Sequence, residues 1–149
     1  MRMKYSEKDE YLNSIKLLKE KYKDAIEIET GFEVEYLPGQ EQNLLELKSE
    51  TDKIILGQHF IYYENKNIKF LRRQKFTDED ALKYAKYIKI AIEKNIPDII
   101  AHPDVYMLSR DNYTEVDEKV AHIICSTAEK YGIPIEINLS HPNEFIIAS

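Results

Sequence analysis

The sequence has little cysteine, glycine or proline and no long apolar run. Cys125 is the single cysteine, so no intrachain disulfide can form, and its apolar neighbours favour a buried, unreactive thiol. The four glycines and five prolines are too few to indicate a linker. No segment approaches the ~18 apolar residues of a membrane-spanning helix, and the first residues lack the apolar region of a signal peptide. We therefore expect a cytoplasmic protein with no membrane contact.

Motifs for nucleophilic catalysis and for phosphate loops are also missing. The chain has no Gly-x-Ser-x-Gly elbow, no glycine-rich phosphate loop and no Cys-x-x-Cys pair. A Ser or Cys nucleophile is therefore not indicated. Attack by a metal-activated water is the hydrolytic chemistry that the remaining residues support.

The charge balance is acidic, with 27 acidic against 21 basic residues and a formal net charge of -6. Such a chain has no general attraction to the phosphate backbone of nucleic acids, so we expect no nucleic-acid partner. The length of 149 residues and a hydrophobic fraction of 43% are those of one globular domain, residues 1–149, with one core.

Apolar periodicity alternates between helix and strand patterns along the chain. Helices are predicted with Thr77 and Thr114 as N-caps, Gly132 as a C-cap, and Ser6 at the start of an N-terminal helix. Strands separated by helices pair in parallel through right-handed crossovers, so the predicted fold class is α/β. The predicted strands are 25–30, 53–57, 98–101 and 134–139.

Potential metal ligands and other polar residues lie at or just beyond the C-terminal ends of these strands. Because the carboxyl ends of parallel strands meet at one edge of a sheet, we expect these residues to share a site. Two imidazoles with one or two carboxylates suit Zn²⁺, Mn²⁺ or Fe²⁺. The residues are Glu33, Glu35, His59, His102, Asp104 and Asn138.

Simpler interpretations remain open for each of these residues. His59 or His102 alone is more typical of a hydrogen-bonded structural histidine than of a metal ligand. Glu33 belongs to an alternating run, 27–35, that is typical of a half-solvated strand. We interpret His122 and His141 as surface or packing residues.

Four ordered segments resemble the middle motifs of the PHP superfamily of metallophosphatases, and most of all its histidinol-phosphatase branch. They are 31–36, 55–61, 98–104 and 136–140. The resemblance spans about residues 16–140. It implies a distorted (β/α)7 barrel with up to three divalent metal ions that cleaves a small phosphomonoester, typically histidinol phosphate in histidine biosynthesis. By motif match, Glu33 resembles a bridging carboxylate, and His59 and His102 resemble metal-binding imidazoles.

Other motifs of the family have no counterpart here: the early His-x-His pair, the following Asp-His element and the late Asp-x-His. We therefore expect a single partial PHP domain, an internal piece of such a barrel, with reduced or no activity alone. Its open sheet predicts self-association. The alternative is a non-catalytic module that assembles through its sheet edges. Arg72, Arg73 and Arg110 are all candidates for binding phosphate.

Overall fold

The computed structural model describes residues 3–63 and 67–138, in which a parallel sheet, an antiparallel hairpin and helices are found. The helices are α1 (Lys8–Tyr22), α2 (Glu41–Ser49), α3 (Asp78–Glu93) and α4 (Glu115–Tyr131), and short 3-10 helices cover Tyr5–Glu7 and Val105–Ser109. The strands are β1 (Gly31–Val34), β2 (Lys53–Leu56), β3 (Phe60–Tyr62), β4 (Ile68–Phe70) and β5 (Ile99–Ile100). None of the described helices is long and apolar enough to cross a lipid bilayer.

The sheet has the strand order β1-β2-β5, and both pairings are parallel. Its register places Glu33 beside Ile55, and Ile55 beside Ile99. Ile135 adds one parallel bridge to Ile100. The predicted α/β class with parallel strands is therefore confirmed, although no barrel is closed by the described residues.

One face of this sheet is buried and the other is partly open. Ile54, Leu56 and Ile100 have no exposed surface and belong to the core. Because side chains alternate between faces along a strand, Glu33 and its neighbour Ile55 lie on the opposite face, where Glu33 is exposed and Ile55 is only half-buried. The candidate site residues are on or next to this open face.

Helices α3 and α4 pack against each other and begin with the predicted caps. The Thr77 hydroxyl accepts a hydrogen bond from Asp80 N–H, and the Thr114 hydroxyl accepts one from Val116 N–H. Both helices have a capping box, in which the Asp at the third helical position accepts from the N–H of the cap. Gly132 ends α4 with a φ of 67°, the left-handed conformation that glycine adopts easily.

The first predicted strand is misplaced: 25–30 contains no strand, and β1 begins at Gly31. The position of β1 is set by its neighbour, because the parallel register pairs Gly31 with Lys53 at the start of β2. Most residues before Thr30 are exposed, so nothing stabilises an extended ladder there. The alternating acids carry no information about this long-range partner.

Three further predictions need correction. Ser6 is not a helix cap, because it lies inside a 3-10 helix and α1 begins after it. Cys125 is exposed, since it lies on α4 away from the buried Ile124 and Ala128. Of the strand predicted at 134–139, only the bridge at Ile135 forms, and Leu139 lies outside the described residues.

Candidate metal centre

Glu33, His59 and His102 come together at one point of the structure. Each offers a possible ligand atom, and these atoms all lie within 4.8 Å of one another. Oε1 of Glu33 is 3.9 Å from Nε2 of His59 and 3.6 Å from Nε2 of His102. The two imidazole rings are 4.9 Å apart between centroids. One carboxylate oxygen therefore faces two imidazole nitrogens.

The parallel sheet explains why residues so distant in sequence meet. Glu33 lies within β1, not beyond it as predicted, and its side chain projects from the open face. His59 follows the end of β2, and His102 follows the end of β5. Since neighbouring parallel strands end at the same edge, the segments after them deliver their side chains to a common place.

Glu35 lies beside the other nitrogen of His59. Its Oε1 is 3.4 Å from Nδ1 of His59, and its side chain is only 12% exposed. A carboxylate at the second nitrogen of an imidazole fixes the ring orientation and the tautomer, a common arrangement behind histidine ligands of metals. In this geometry Nε2 of His59 is the nitrogen directed at Glu33.

The backbone at His102 has an uncommon conformation. Its φ is 30°, within the left-handed region that non-glycine residues rarely adopt. The carboxylate of Glu136 accepts a hydrogen bond of 2.9 Å from the His102 N–H, which helps to hold this conformation. Such backbone strain costs about 1–3 kcal/mol and is concentrated at functional sites.

The distance from Glu33 to each histidine is compatible with a shared divalent transition-metal ion. Ligand atoms that each lie about 2.1 Å from an ion can be separated by at most about 4.2 Å. The separations of 3.6 and 3.9 Å from Glu33 to the two histidines meet this limit. Imidazole and carboxylate donors suit Zn²⁺, Mn²⁺ or Fe²⁺, and three protein ligands leave coordination positions for water and substrate.

Two cavities adjoin the two histidines. One has a volume of about 260 Å³ and is lined on its polar side by Arg72, Asp104 and Asn138. The other, on the Glu33 side, is an open groove of about 720 Å³. Asp104 and Asn138, predicted near the site, are thus beside it without being part of the three-residue cluster.

Arg72 reaches the first cavity through a hairpin that the sequence analysis missed. Strands β3 and β4 pair antiparallel directly after His59, and Arg72 follows β4 in a left-handed conformation with φ 63°. The Arg72 N–H donates to the Ser109 hydroxyl at 2.8 Å. Two short segments rich in apolar and aromatic residues, 60–63 and 68–71, are separated by polar residues, which is a hairpin signal present in the sequence.

Arg110 is engaged elsewhere, between the starts of α3 and α4. Its side chain is 5% exposed and forms ion pairs with Asp78 at 2.5 Å and with the fully buried Asp117 at 3.0 Å. It lines neither of the two cavities beside the histidines. Arg110 is therefore a structural residue, and Arg72 is the predicted arginine that lies beside His59 and His102.

Among the predicted non-site histidines, His122 is exposed on α4, and His141 lies outside the described residues. Tyr84 is a fully buried side chain near the site that the sequence analysis did not single out. Burial, and then the charges of Asp104 and Glu35, raise the pKa of Tyr84, so its phenol remains protonated. Nothing in the sequence marks Tyr84 as more buried than any other aromatic residue of α3.

No protein-family model and no curated protein matches the sequence. Among solved structures, a protein assigned as the histidinol phosphatase HisK of Listeria monocytogenes has the same fold, with a TM-score of 0.71 and 20% identity. The match covers 95% of this chain and 62% of that one. HisK of Lactococcus lactis subsp. lactis, crystallised with zinc, L-histidinol and phosphate, matches with a TM-score of 0.64 and 19% identity over 87% of this chain and 53% of its own.

At these identities the similarity shows a fold like that of the two histidinol phosphatase structures. The chain spans only about 62% and 53% of the two matched structures. The described strands form an open three-stranded parallel sheet and a two-stranded hairpin.

Proposed function

We propose that the chain is a metal-dependent phosphomonoester hydrolase of the histidinol-phosphatase type, with Glu33, His59 and His102 as metal ligands. The observation that carries this proposal is the convergence of their ligand atoms within 4.8 Å at the ends of parallel strands. The fold shared with two histidinol-phosphatase structures, one of them holding zinc, supports it.

The substrate that fits best is a small phosphorylated molecule, and histidinol phosphate is the first candidate. The cavity of about 260 Å³ is close to the lower end of the roughly 300–1,000 Å³ of small-molecule sites. It combines the cation of Arg72 with the two histidines. The Lactococcus structure, with L-histidinol and phosphate bound, indicates which compound to test first.

Some residues of the site would bind the metal ion or the phosphate, and others would orient the residues that bind. When bound, a divalent ion supplies an acidified water for attack and positive charge for the phosphate oxygens. Glu33, close to both imidazoles, would balance that positive charge, and Glu35 lies 3.4 Å from the other nitrogen of His59, where its carboxylate favours an N–H at that nitrogen. Arg72 supplies a guanidinium at the cavity wall, a group that pairs well with phosphate oxygens.

A partial domain with these three ligands should hold metal weakly. Catalytic sites with several ions draw on more ligands than one Glu and two His, and loose coordination reduces the acidification of water. We therefore propose reduced or no turnover for the 149-residue chain alone. Further ligands would have to come from other residues or from another chain.

The test is phosphate release from histidinol phosphate by the purified chain, with and without added Mn²⁺ or Zn²⁺. A His102→Ala variant serves as the site control, and His122→Ala, on the exposed face of α4, serves as the substitution control. Metal-dependent turnover that His102→Ala abolishes and His122→Ala retains supports the proposal. Measurable turnover at equal rates in wild type and His102→Ala would contradict it.

A second candidate function is that of a non-catalytic module that assembles through its sheet edges. In the described part of the chain, β1 pairs with β2 on one side and with no strand on the other. An open strand edge presents N–H and C=O groups to any chain that can add a strand. This candidate predicts a defined assembly and no dependence on Glu33, His59 or His102.

A further inference from the structure

Gly57 lies directly beside the carboxylate of Glu33. It follows β2 by one residue, and its N–H donates to the Val34 carbonyl at 2.9 Å, which continues the ladder between β1 and β2. Ile55 is the neighbour of Glu33 in the register, and Gly57 is two residues further on. Because side chains alternate, a side chain at position 57 would project from the same face as Glu33.

The space that such a side chain would need is filled by Glu33. A Cβ atom added at Gly57 would lie 2.0 Å from Oε1, 2.8 Å from Cδ and 3.0 Å from Cγ of Glu33. Contacts between side-chain atoms are ordinarily 3.4–4 Å. The same atom, Oε1, lies 3.9 Å from Nε2 of His59 and 3.6 Å from Nε2 of His102.

The backbone gives no separate reason for glycine at position 57. The glycines with positive φ in the described chain are Gly39 and Gly132, and Gly57 is not among them. An alanine could adopt the backbone conformation of Gly57 without the strain of the left-handed region. The requirement for glycine is therefore the space occupied by the carboxylate.

We propose that Gly57 is a positioning residue for the metal centre, because its missing side chain lets the Glu33 carboxylate lie between the two imidazoles. The inference rests on the proposed function. In a Gly57→Ala variant Oε1 must move by about 1.4 Å to restore a contact of 3.4 Å. Ligand distances in metal sites tolerate only about 0.2 Å, so a displacement of this size breaks the coordination.

The displaced group is the end of a flexible side chain, so the fold should tolerate the change. Glu33 is exposed and can turn into the open groove that Gly57 also lines. Gly57→Ala should therefore lower metal affinity with little loss of stability in the metal-free protein. Gly31→Ala is the matched control, because its Cβ would meet the Lys53 carbonyl of β2 at 3.1 Å and lies against no carboxylate in its nearest contacts.

The experiment is calorimetric titration of Zn²⁺ into wild type, Gly57→Ala, Gly31→Ala, Glu33→Ala and the Glu33→Ala/Gly57→Ala double variant. We expect at least a tenfold loss of affinity in Gly57→Ala and less than a threefold loss in Gly31→Ala. In the double variant, the alanine at position 57 should add no further loss to that of Glu33→Ala. Such non-additivity shows that Gly57 acts through Glu33, which a purely structural role does not produce.

Several results would overturn the inference. If Gly57→Ala binds Zn²⁺ with wild-type affinity, the inference is overturned while the proposed function stands. If the alanine at position 57 lowers Zn²⁺ affinity equally in wild type and in Glu33→Ala, Gly57 has a structural role instead. Absence of Zn²⁺ binding by wild type removes the proposed function and the inference together. If Gly57→Ala does not fold, a folded double variant supports the steric relation between the two residues, and an unfolded double variant refutes it.

Discussion

Arg72 and Arg110 are both candidate phosphate-binding residues by sequence, but their surroundings in the structure differ. Arg110 is buried between two aspartates that belong to helix starts. Arg72 is exposed and lines the cavity that His59 and His102 also line. The two arginines should therefore respond to different assays, one to phosphate binding and the other to unfolding.

Replacing Arg72 by alanine should weaken phosphate binding to the metal-loaded chain by about 10- to 100-fold, the range of a lost charge-assisted hydrogen bond of roughly 1.5–3 kcal/mol. Calorimetric titration of inorganic phosphate into the metal-loaded protein measures this loss of affinity directly. Lys75→Ala is the control, because Lys75 is an exposed cation that pairs with Asp111 and lines neither cavity beside the two histidines. An effect of Lys75→Ala as large as that of Arg72→Ala would contradict the assignment.

Placement near strand ends gave six candidate residues, and the resemblance to the PHP superfamily reduced them to Glu33, His59 and His102, which the structure brings together. Their role as metal ligands stays a prediction. The sequence could not reveal the role of Gly57, which depends on a carboxylate from another strand. Whether Glu35 orients His59 was equally hidden, since the 3.4 Å contact arises only when β1 and β2 pair. The spacing of residues along the chain does not reveal contacts between side chains on different strands.

At the scale of elements, the starts of α3 and α4 are joined by one ion-pair network. Arg110 donates to Asp78 at 2.5 Å, to Asp117 at 3.0 Å and to the Thr114 hydroxyl at 3.1 Å. It also donates to the Phe76 carbonyl at 3.2 Å. The caps that the sequence predicted separately are therefore linked through a single guanidinium.

Asp117→Ala should lower the free energy of unfolding by about 2–4 kcal/mol, because it removes the capping-box acceptor of α4 and the buried carboxylate that pairs with Arg110, which keeps Asp78 as a partner. Denaturant unfolding followed by circular dichroism measures the change. Asp111→Ala serves as control, since Asp111 pairs with Lys75 at the surface, where both side chains are about two-thirds exposed. Its removal should cost at most about 1 kcal/mol. Equal losses for the two variants would refute the structural role.

Local signals predicted the long elements well and the short ones poorly. Helices α3 and α4 carry their own caps and apolar faces, so Thr77 and Thr114 marked their starts correctly. The strand β1 has four residues, and its limits depend on β2 rather than on its own alternating acids. The β3–β4 hairpin was missed because its short apolar runs lack the glycine turn that most clearly marks a hairpin.

At the scale of the whole molecule, the described sheet is open. The order β1-β2-β5 leaves β1 with one paired side, and the matched structures are longer than this chain. Part of the face that carries Glu33 is exposed to solvent. An open edge next to a partly apolar face favours association with another chain.

We predict that the chain self-associates, and that its mass by light scattering rises above the 17.6 kDa of one chain as concentration increases. The physical reason is the edge of β1 that pairs with no strand among residues 3–63 and 67–138. A mass that stays at one chain over the whole range, into the millimolar region, would refute this prediction. The same series with metal added shows whether ligands are shared between chains.

The most direct test of the metal centre is a calorimetric titration of Mn²⁺ and Zn²⁺ into wild type and into the Glu33→Ala, His59→Ala and His102→Ala variants, with His122→Ala as control. Because the three ligand atoms lie within 4.8 Å, removing any one of them should weaken binding at least tenfold, which is about 1.4 kcal/mol. His122→Ala should bind like wild type. Absence of binding by wild type, or equal affinity in all variants, would contradict the account.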